Sequence, residues 1–392
     1  IIDANDDLWA WGDNSYNKLG QGNSYLITES TKILEGRTEG ASNVKAKNVW
    51  AGTTNTFVLD TNNRLWACGA NADGVLGQGN NNTYYNFVEV KIEGLDLNAT
   101  EIELYPTSAN TQQYSSVILK CSDGRVYGAG INQFGGFGIG TNTSYNKFIE
   151  LSAYNDIWKS AKKILNPGIM TFMITEEGEC YVSGYNANGT LGLGDTINRN
   201  TLTKTRNNTL DITITMYNYT AALFLLDDGY LYKTDSNGNF NRIIGIQDKD
   251  MKIIGNSKVV SKGKIYNINS NNTATQVYTE YEVDEIMNMG VMNGFISNNK
   301  IYLDGYPNIT KPKQKSIYAL RNVFTGAQFV QSGGNNINIV DNEGNIYEGI
   351  NNKNTQVSDI KQLVSSNYAQ FALSKDGRLY AKGEAYMWGD EI

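Results

Sequence analysis

Paired carboxylates are the first residues in this chain whose types and spacing could do chemistry. They stand at Asp3, Asp6 and Asp7, at Glu176 and Glu177, and at Asp227 and Asp228. Two acids converging on one sugar can hydrolyse a glycosidic bond, one as acid and the other as base or nucleophile. Each group here, however, lies at the tip of a short turn rich in Asp, Asn and Gly, where acids bond the turn's own backbone. Asp235, Asn237 and Asn239 alternate as the first ligands of a calcium loop do, but Phe240 stands where such a loop needs glycine. The glycines at 135 and 136, or at 192 and 194, would cradle a phosphate only between a strand and a helix, and no helical pattern follows them.

The chain has no histidine, which excludes Ser-His-Asp and Cys-His relays and histidine metal sites. Its three cysteines, Cys68, Cys121 and Cys180, lack metal-ligand spacing and are expected as thiols packed within strands. The expectation is a protein that is not an enzyme, with no cofactor and no metal. Lys and Arg total 33 against 40 Asp and Glu, a net charge of −7. Such a surface repels phosphate backbones, so nucleic acid is not expected as a partner. The longest basic cluster, Lys311–Lys315, is short and reads as a solvated loop. No apolar run approaches the roughly 18 residues that span a bilayer. Ala221–Leu226 is the longest plain candidate, and it is strand-sized.

What positions these residues is a phrase that returns nine times: a short apolar strand, a tight turn, then an apolar residue followed by Trp or Tyr. The aromatics are Trp9, Trp66, Tyr127, Tyr181, Tyr232, Tyr266, Tyr302, Tyr347 and Tyr380. Successive copies lie between 33 residues apart (347 to 380) and 61 (66 to 127). In the second copy Phe57, Val58 and Leu59 lead into a turn at residues 60–64, where Asn62 and Asn63 tolerate left-handed backbone. Other copies place Gly124, Gly178, Gly229, Gly263, Gly344 and Gly377 in the turn, a strong hairpin signal. Further strand-like runs, such as 44–50 and 87–92, lie between hairpins, and residues 157–165 are the best short helical candidate. Even the shortest spacing holds four strands of about five residues. The expected fold is all-β, a β-propeller of four-stranded antiparallel blades filling residues 1–392 as one domain. The start at Ile1, without Met or leader, leads us to expect an excerpt of a longer chain.

In four copies the returning strand runs into a second phrase. Asn14, Asn71, Asn132 and Asn186 each follow a Gly by two residues, and then come Gly20 and Gly22, Gly77 and Gly79, Gly138 and Gly140, and Gly192 and Gly194. This pattern resembles the regulator-of-chromosome-condensation repeat family, whose signature is Gly-x-Asn followed by Gly-x-Leu-Gly-x-Gly. The resemblance extends over the chain at hairpin level, and the glycine half is eroded beyond about residue 235, with traces at Gly305, Gly349 and Gly383. It implies a seven-bladed propeller whose chain ends pair in one blade. Nine hairpins are present, so the ring is larger, or some hairpins do not make full blades, or the chain is cut from a longer array.

Four tyrosines follow the last glycine of the phrase: Tyr25, Tyr84, Tyr85 and Tyr145. Tyr among Asn and Ser offers large amphipathic area with adaptable hydrogen bonding, as recognition surfaces do. The other reading is that these rings pack over blade edges. The resemblance implies a non-enzymatic binding propeller presenting varied loops to a protein partner, with a glycan as the less favoured ligand. A bacterial cell-surface or secreted location is the expectation by analogy. The alternatives are a structural module of a larger surface protein or filament, and a carboxylate-dependent glycosidase.

Overall fold

The computed structural model describes residues 2–277, apart from 4, 108–113, 215–220 and 255–257, and beyond 277 the backbone of eleven strands. Lys311–Lys315, the turn glycines Gly344 and Gly377, and Gly305 and Gly349 lie outside the described residues.

The described strands form nine antiparallel sheets, one for each repeated hairpin, and seven of them have four strands in simple meander order. The second sheet shows the pattern: Ala46–Ala51, Asn55–Asp60, Leu65–Gly69 and Tyr84–Val90. Its hairpin turns where expected, with Asn63 at φ 56°. Every repeated aromatic except Trp9 occupies the third strand of its sheet, Trp66 in Leu65–Gly69 and Tyr127 in Val126–Gly130, for example. The first sheet contains only Trp9–Gly12 and Ile27–Lys32, with one isolated bridge, Ile2 to Leu8, where a preceding strand would run. The ninth has three described strands, Ile360–Ser365, Ala369–Ser374 and Leu379–Gly383. Hairpin count and complete-blade count therefore differ by two among the described residues.

No α-helix is present among the described residues, and none there is long and apolar enough to cross a membrane. The helical candidate at 157–165 is a 3-10 helix, Asp156–Ser160, followed by a strand, Ala161–Leu165. Asn155 caps the turn by accepting the Ile157 N–H, and Trp158 buries itself beneath it. The apolar pattern there belongs to one buried ring plus a strand, which a helical period imitates over so short a run.

The chain divides into two compact units, Ile1–Lys249 and Asp250–Ile392. In the first unit the cores lie between successive sheets. Leu8, Val58 and Phe87 pack between the first and second sheets, and Phe57, Leu76 and Val117 between the second and third. Ile118, Trp158 and Met173 fill the next interval, and Phe172, Val182 and Phe224 the one after. The two central strands of the second sheet are buried at every residue because a neighbouring sheet covers each face. Burying each large apolar side chain is worth about 1.5–3 kcal/mol. The second unit contains the sixth to ninth sheets, again as antiparallel meanders.

Candidate functional site

The connection between third and fourth strands is built the same way four times. Asn14, Asn71, Asn132 and Asn186 are buried, and each side chain bridges the connection that follows it. The Oδ1 of Asn71 accepts the Leu76 N–H at 2.8 Å while its Nδ2 donates to the Asn80 carbonyl at 2.9 Å. Asn14 makes the same pair with Leu19 and Asn23, Asn132 with Phe137 and Thr141, and Asn186 with Leu191 and Asp195. The repeated Gly-x-Asn is legible in the sequence, but its partners five and nine residues on take part through backbone N–H and C=O groups, so their role is not.

The glycines seat this loop against the next sheet. Gly77 holds φ 71°, and a Cβ there would stand 2.4 Å from the Phe148 ring. Gly20, Gly138 and Gly192 meet Phe87, Leu202 and Phe240 in the same way. The second glycine of each pair donates its N–H across the seam: Gly22 to the Tyr85 carbonyl at 2.8 Å, Gly79 to Asn146 at 2.7 Å, Gly140 to Asn200 at 2.6 Å, and Gly194 to Gly238 at 2.9 Å. These amides are spent on protein carbonyls and do not converge on an anion, so the glycine runs are seams between sheets.

Several acids at the hairpin tips are also spent. Asp60 is fully buried. Its Oδ1 accepts the N–H groups of Asn62 and Arg64, and its Oδ2 accepts Arg64 Nε and Trp66 Nε1. Asp3 receives Trp9 Nε1 at 2.8 Å, and Asp228 receives the Tyr232 hydroxyl at 3.0 Å. The acid therefore serves the polar end of the repeated aromatic. Burial raises the Asp3 carboxyl, yet donors from Trp9, Asp7 and Asn5 bring it below the usual carboxylate range. Asp7 is lowered by Lys45 and Lys32. Asp235 accepts from the backbone of Asn237 and Asn239 and from the amides of Asn239 and Asn241, a ring of donors that suits no cation. Among the described residues no group of His, Cys, Asp and Glu could hold a metal. Burial pushes the Cys68 and Cys180 thiols up, and burial with the nearby Asp123 charge pushes Cys121 up to about 12.

The four tyrosines occupy three different places. Counted from the bridging Asn, Tyr84 and Tyr145 are one position. Each folds back on its own loop, Tyr84 accepting from Asn80 Nδ2 at 2.9 Å and Tyr145 hydroxyl-bonded to Thr141 at 3.2 Å. Both pack half-buried on the cores. Arg199, paired with Asp195, takes that place in the fourth copy. Tyr25 and Tyr85 stand outside, 77% and 52% exposed, with Leu26 exposed beside Tyr25. The bond from Gly22 to the Tyr85 carbonyl sets Tyr25 and Tyr85 on either side of one seam. The equivalents of Tyr25 in later copies are Asn82, Thr143 and Ile197, all exposed.

No family model matches the chain. It is 24% identical over 194 residues to the ultraviolet-B receptor UVR8 of Arabidopsis thaliana, a match spanning 50% of this chain and 40% of the receptor. It is 26% identical over 190 residues to the X-linked retinitis pigmentosa GTPase regulator of Canis lupus familiaris, spanning 46% of this chain and 18% of the regulator. The chain thus matches less than half the length of either relative. Among solved structures, human WBSCR16 superposes with a TM-score of 0.52 at 13% identity, covering 94% of this chain and 99% of that one. Prp20p of Saccharomyces cerevisiae, the yeast RCC1, superposes with a TM-score of 0.52 at 14% identity, covering 94% of this chain and 92% of that one. The chain has the fold of an RCC1-like β-propeller. In this propeller the glycine phrase locks neighbouring blades, and the residues free to vary are those the lock leaves outside.

Proposed function

We propose that this propeller acts by contact alone: it binds a protein partner without catalysing a reaction, and the Tyr25, Leu26 and Tyr85 patch is part of the contact. One observation carries the reading. Asn and Gly repeat wherever the loop is fastened, whereas the position of Tyr25 changes from Tyr to Asn, Thr and Ile and is exposed each time. A rigid frame with variable exposed tips suits recognition, and tyrosine contributes contact area at low entropic cost. A protein is favoured over a glycan by the relatives' printed roles: Prp20p binds Gsp1p and histones, and the canine relative is a GTPase regulator. The acidic, histidine-free composition supports a secreted or cell-surface location in a bacterium, which fractionation of the producing cell tests.

The test compares wild type with a Tyr25→Ala, Tyr85→Ala double variant. The double variant is expected to keep its unfolding midpoint, since both rings are exposed, and to lose a protein that wild type retains and Asn82→Ala still retains. Retention of that protein by the folded double variant would remove the patch from the contact.

A further inference from the structure

A second arrangement lies at the same ends of the sheets, at the residue two beyond the bridging Asn. Asp73 is there in the second copy and Phe134 in the third. Asp73 Oδ2 accepts the Ser115 N–H at 3.0 Å. Among the described residues that is the carboxylate's one hydrogen bond, and no Lys or Arg there forms an ion pair with it. Its half-buried state pushes the carboxyl above the usual range, an effect the Ser115 N–H only partly offsets. Other sheltered acids differ: Asp60 has four donors, Asp7 two lysines, and Asp195 an arginine. A sheltered carboxylate with spare acceptor capacity is costly unless something fills it.

Tyr114 is the residue before Ser115. Its ring meets Phe134 edge-on at 5.9 Å, and Phe134 meets Tyr185 edge-on at 5.2 Å. All three rings are partly exposed. The three rings form a row across the third and fourth sheets, and the Asp73 carboxylate, from the second, bonds the backbone next to the first of them, so carboxylate and rings make one row of groups. We propose that this row is a site for the guanidinium of an arginine side chain on a protein partner. A guanidinium is planar, weakly hydrated and rich in donors, so it can bond the open acceptor sites of Asp73 and stack on a ring. The net charge of −7 favours a basic partner surface. The inference rests on the contact reading above and assigns it a second, chemically defined point.

The test titrates the isotope-labelled full chain with a capped glycine peptide carrying one arginine, reading the Ser115 amide resonance. Matching arms use the citrulline peptide, which keeps the shape and removes the charge, and free methylguanidinium. Asp73→Asn keeps an oxygen for the Ser115 N–H, so it folds. Arginine is expected to shift the Ser115 amide, with binding at least about tenfold weaker for citrulline or for Asp73→Asn. Phe134→Leu is expected to weaken it several-fold, roughly the cation–π share. Equal binding of arginine and citrulline, unchanged binding by Asp73→Asn, or a silent Ser115 amide would overturn the site. Methylguanidinium binding as tightly as the peptide would overturn the protein origin of the cation. Failure here leaves the Tyr25 and Tyr85 test untouched, and failure there leaves this one readable.

Discussion

Replacing Asn71 by Ala removes one side chain and breaks two bonds at once. The Leu76 N–H, inside a residue with no exposure, loses the one acceptor it has among the described residues. A buried donor left unpaired costs about 1–3 kcal/mol. The Asn80 carbonyl, half-buried, loses a donor worth about 1 kcal/mol, for which water partly substitutes. The expected destabilisation is about 3 kcal/mol, a factor above about a hundred in the folding equilibrium. Urea unfolding measures it as a lower midpoint at unchanged slope. Amide exchange at Leu76 localises it, since that proton should lose its protection first. Asn82→Ala is the control, an exposed residue nearby expected to change stability by no more than about 0.5 kcal/mol. A loss below about 1 kcal/mol, with the Leu76 amide still slow to exchange, would show that the bridge is decoration and that the glycines alone hold the loop.

Gly77→Ala and Gly36→Ala separate backbone strain from close approach. Both residues hold positive φ, but a Cβ at Gly36 meets nothing within 4 Å whereas one at Gly77 meets Phe148. Urea midpoints should show about 1–2 kcal/mol lost at Gly36 and clearly more at Gly77, and equal losses would refute the packing role. Acid should weaken the propeller through its hydrogen-bonded carboxylates. Burial raises Asp13, but Lys18 and Ser15 bring it down to about 2, and Asp7, Asp123 and Asp195 are lowered by their lysine and arginine partners. A folded value below the unfolded 3.8 gives stability that is complete above 3.8 and fades as pH falls toward 2. Unfolding midpoints that stay flat across that window would show these pairs to be screened out.

The sheets were legible because hairpin chemistry is local. An apolar run, an Asx-Gly turn and an aromatic on the returning strand specify two strands within a dozen residues, and Trp66 or Tyr232 can be placed from neighbours alone. The glycine phrase was legible as a signature but not as a device, because what it meets lies far along the chain: Gly77 fits against Phe148, and Gly22 bonds Tyr85. For the same reason four tyrosines that follow a Gly-x-Gly looked like one series. Counting from the last glycine or from the bridging Asn separates them equally, since that stretch has one length in all four copies: Tyr84 and Tyr145 coincide while Tyr25 and Tyr85 stand apart. The row of Asp73, Tyr114, Phe134 and Tyr185 had no sequence signal at all, since three sheets contribute to it.

This division explains where such a propeller is able to change. A substitution at the bridging Asn or the seam glycines disturbs two sheets together, because each loop is fastened both to itself and to its neighbour. A substitution at the place of Tyr25 alters one tip whose anchoring lies elsewhere, and one at that of Asp73 or Phe134 touches a single contact with the next sheet. The four copies show that asymmetry directly: the fastening residues recur as Asn and Gly, while the tips read Tyr, Asn, Thr and Ile at one place and Tyr, Asp, Phe and Asn at the other. Cheap variation at sites that face outward and costly variation at sites that hold the frame is the arrangement a contact surface needs. It also dictates the form of any decisive experiment, in which the tips are changed and the frame is left alone.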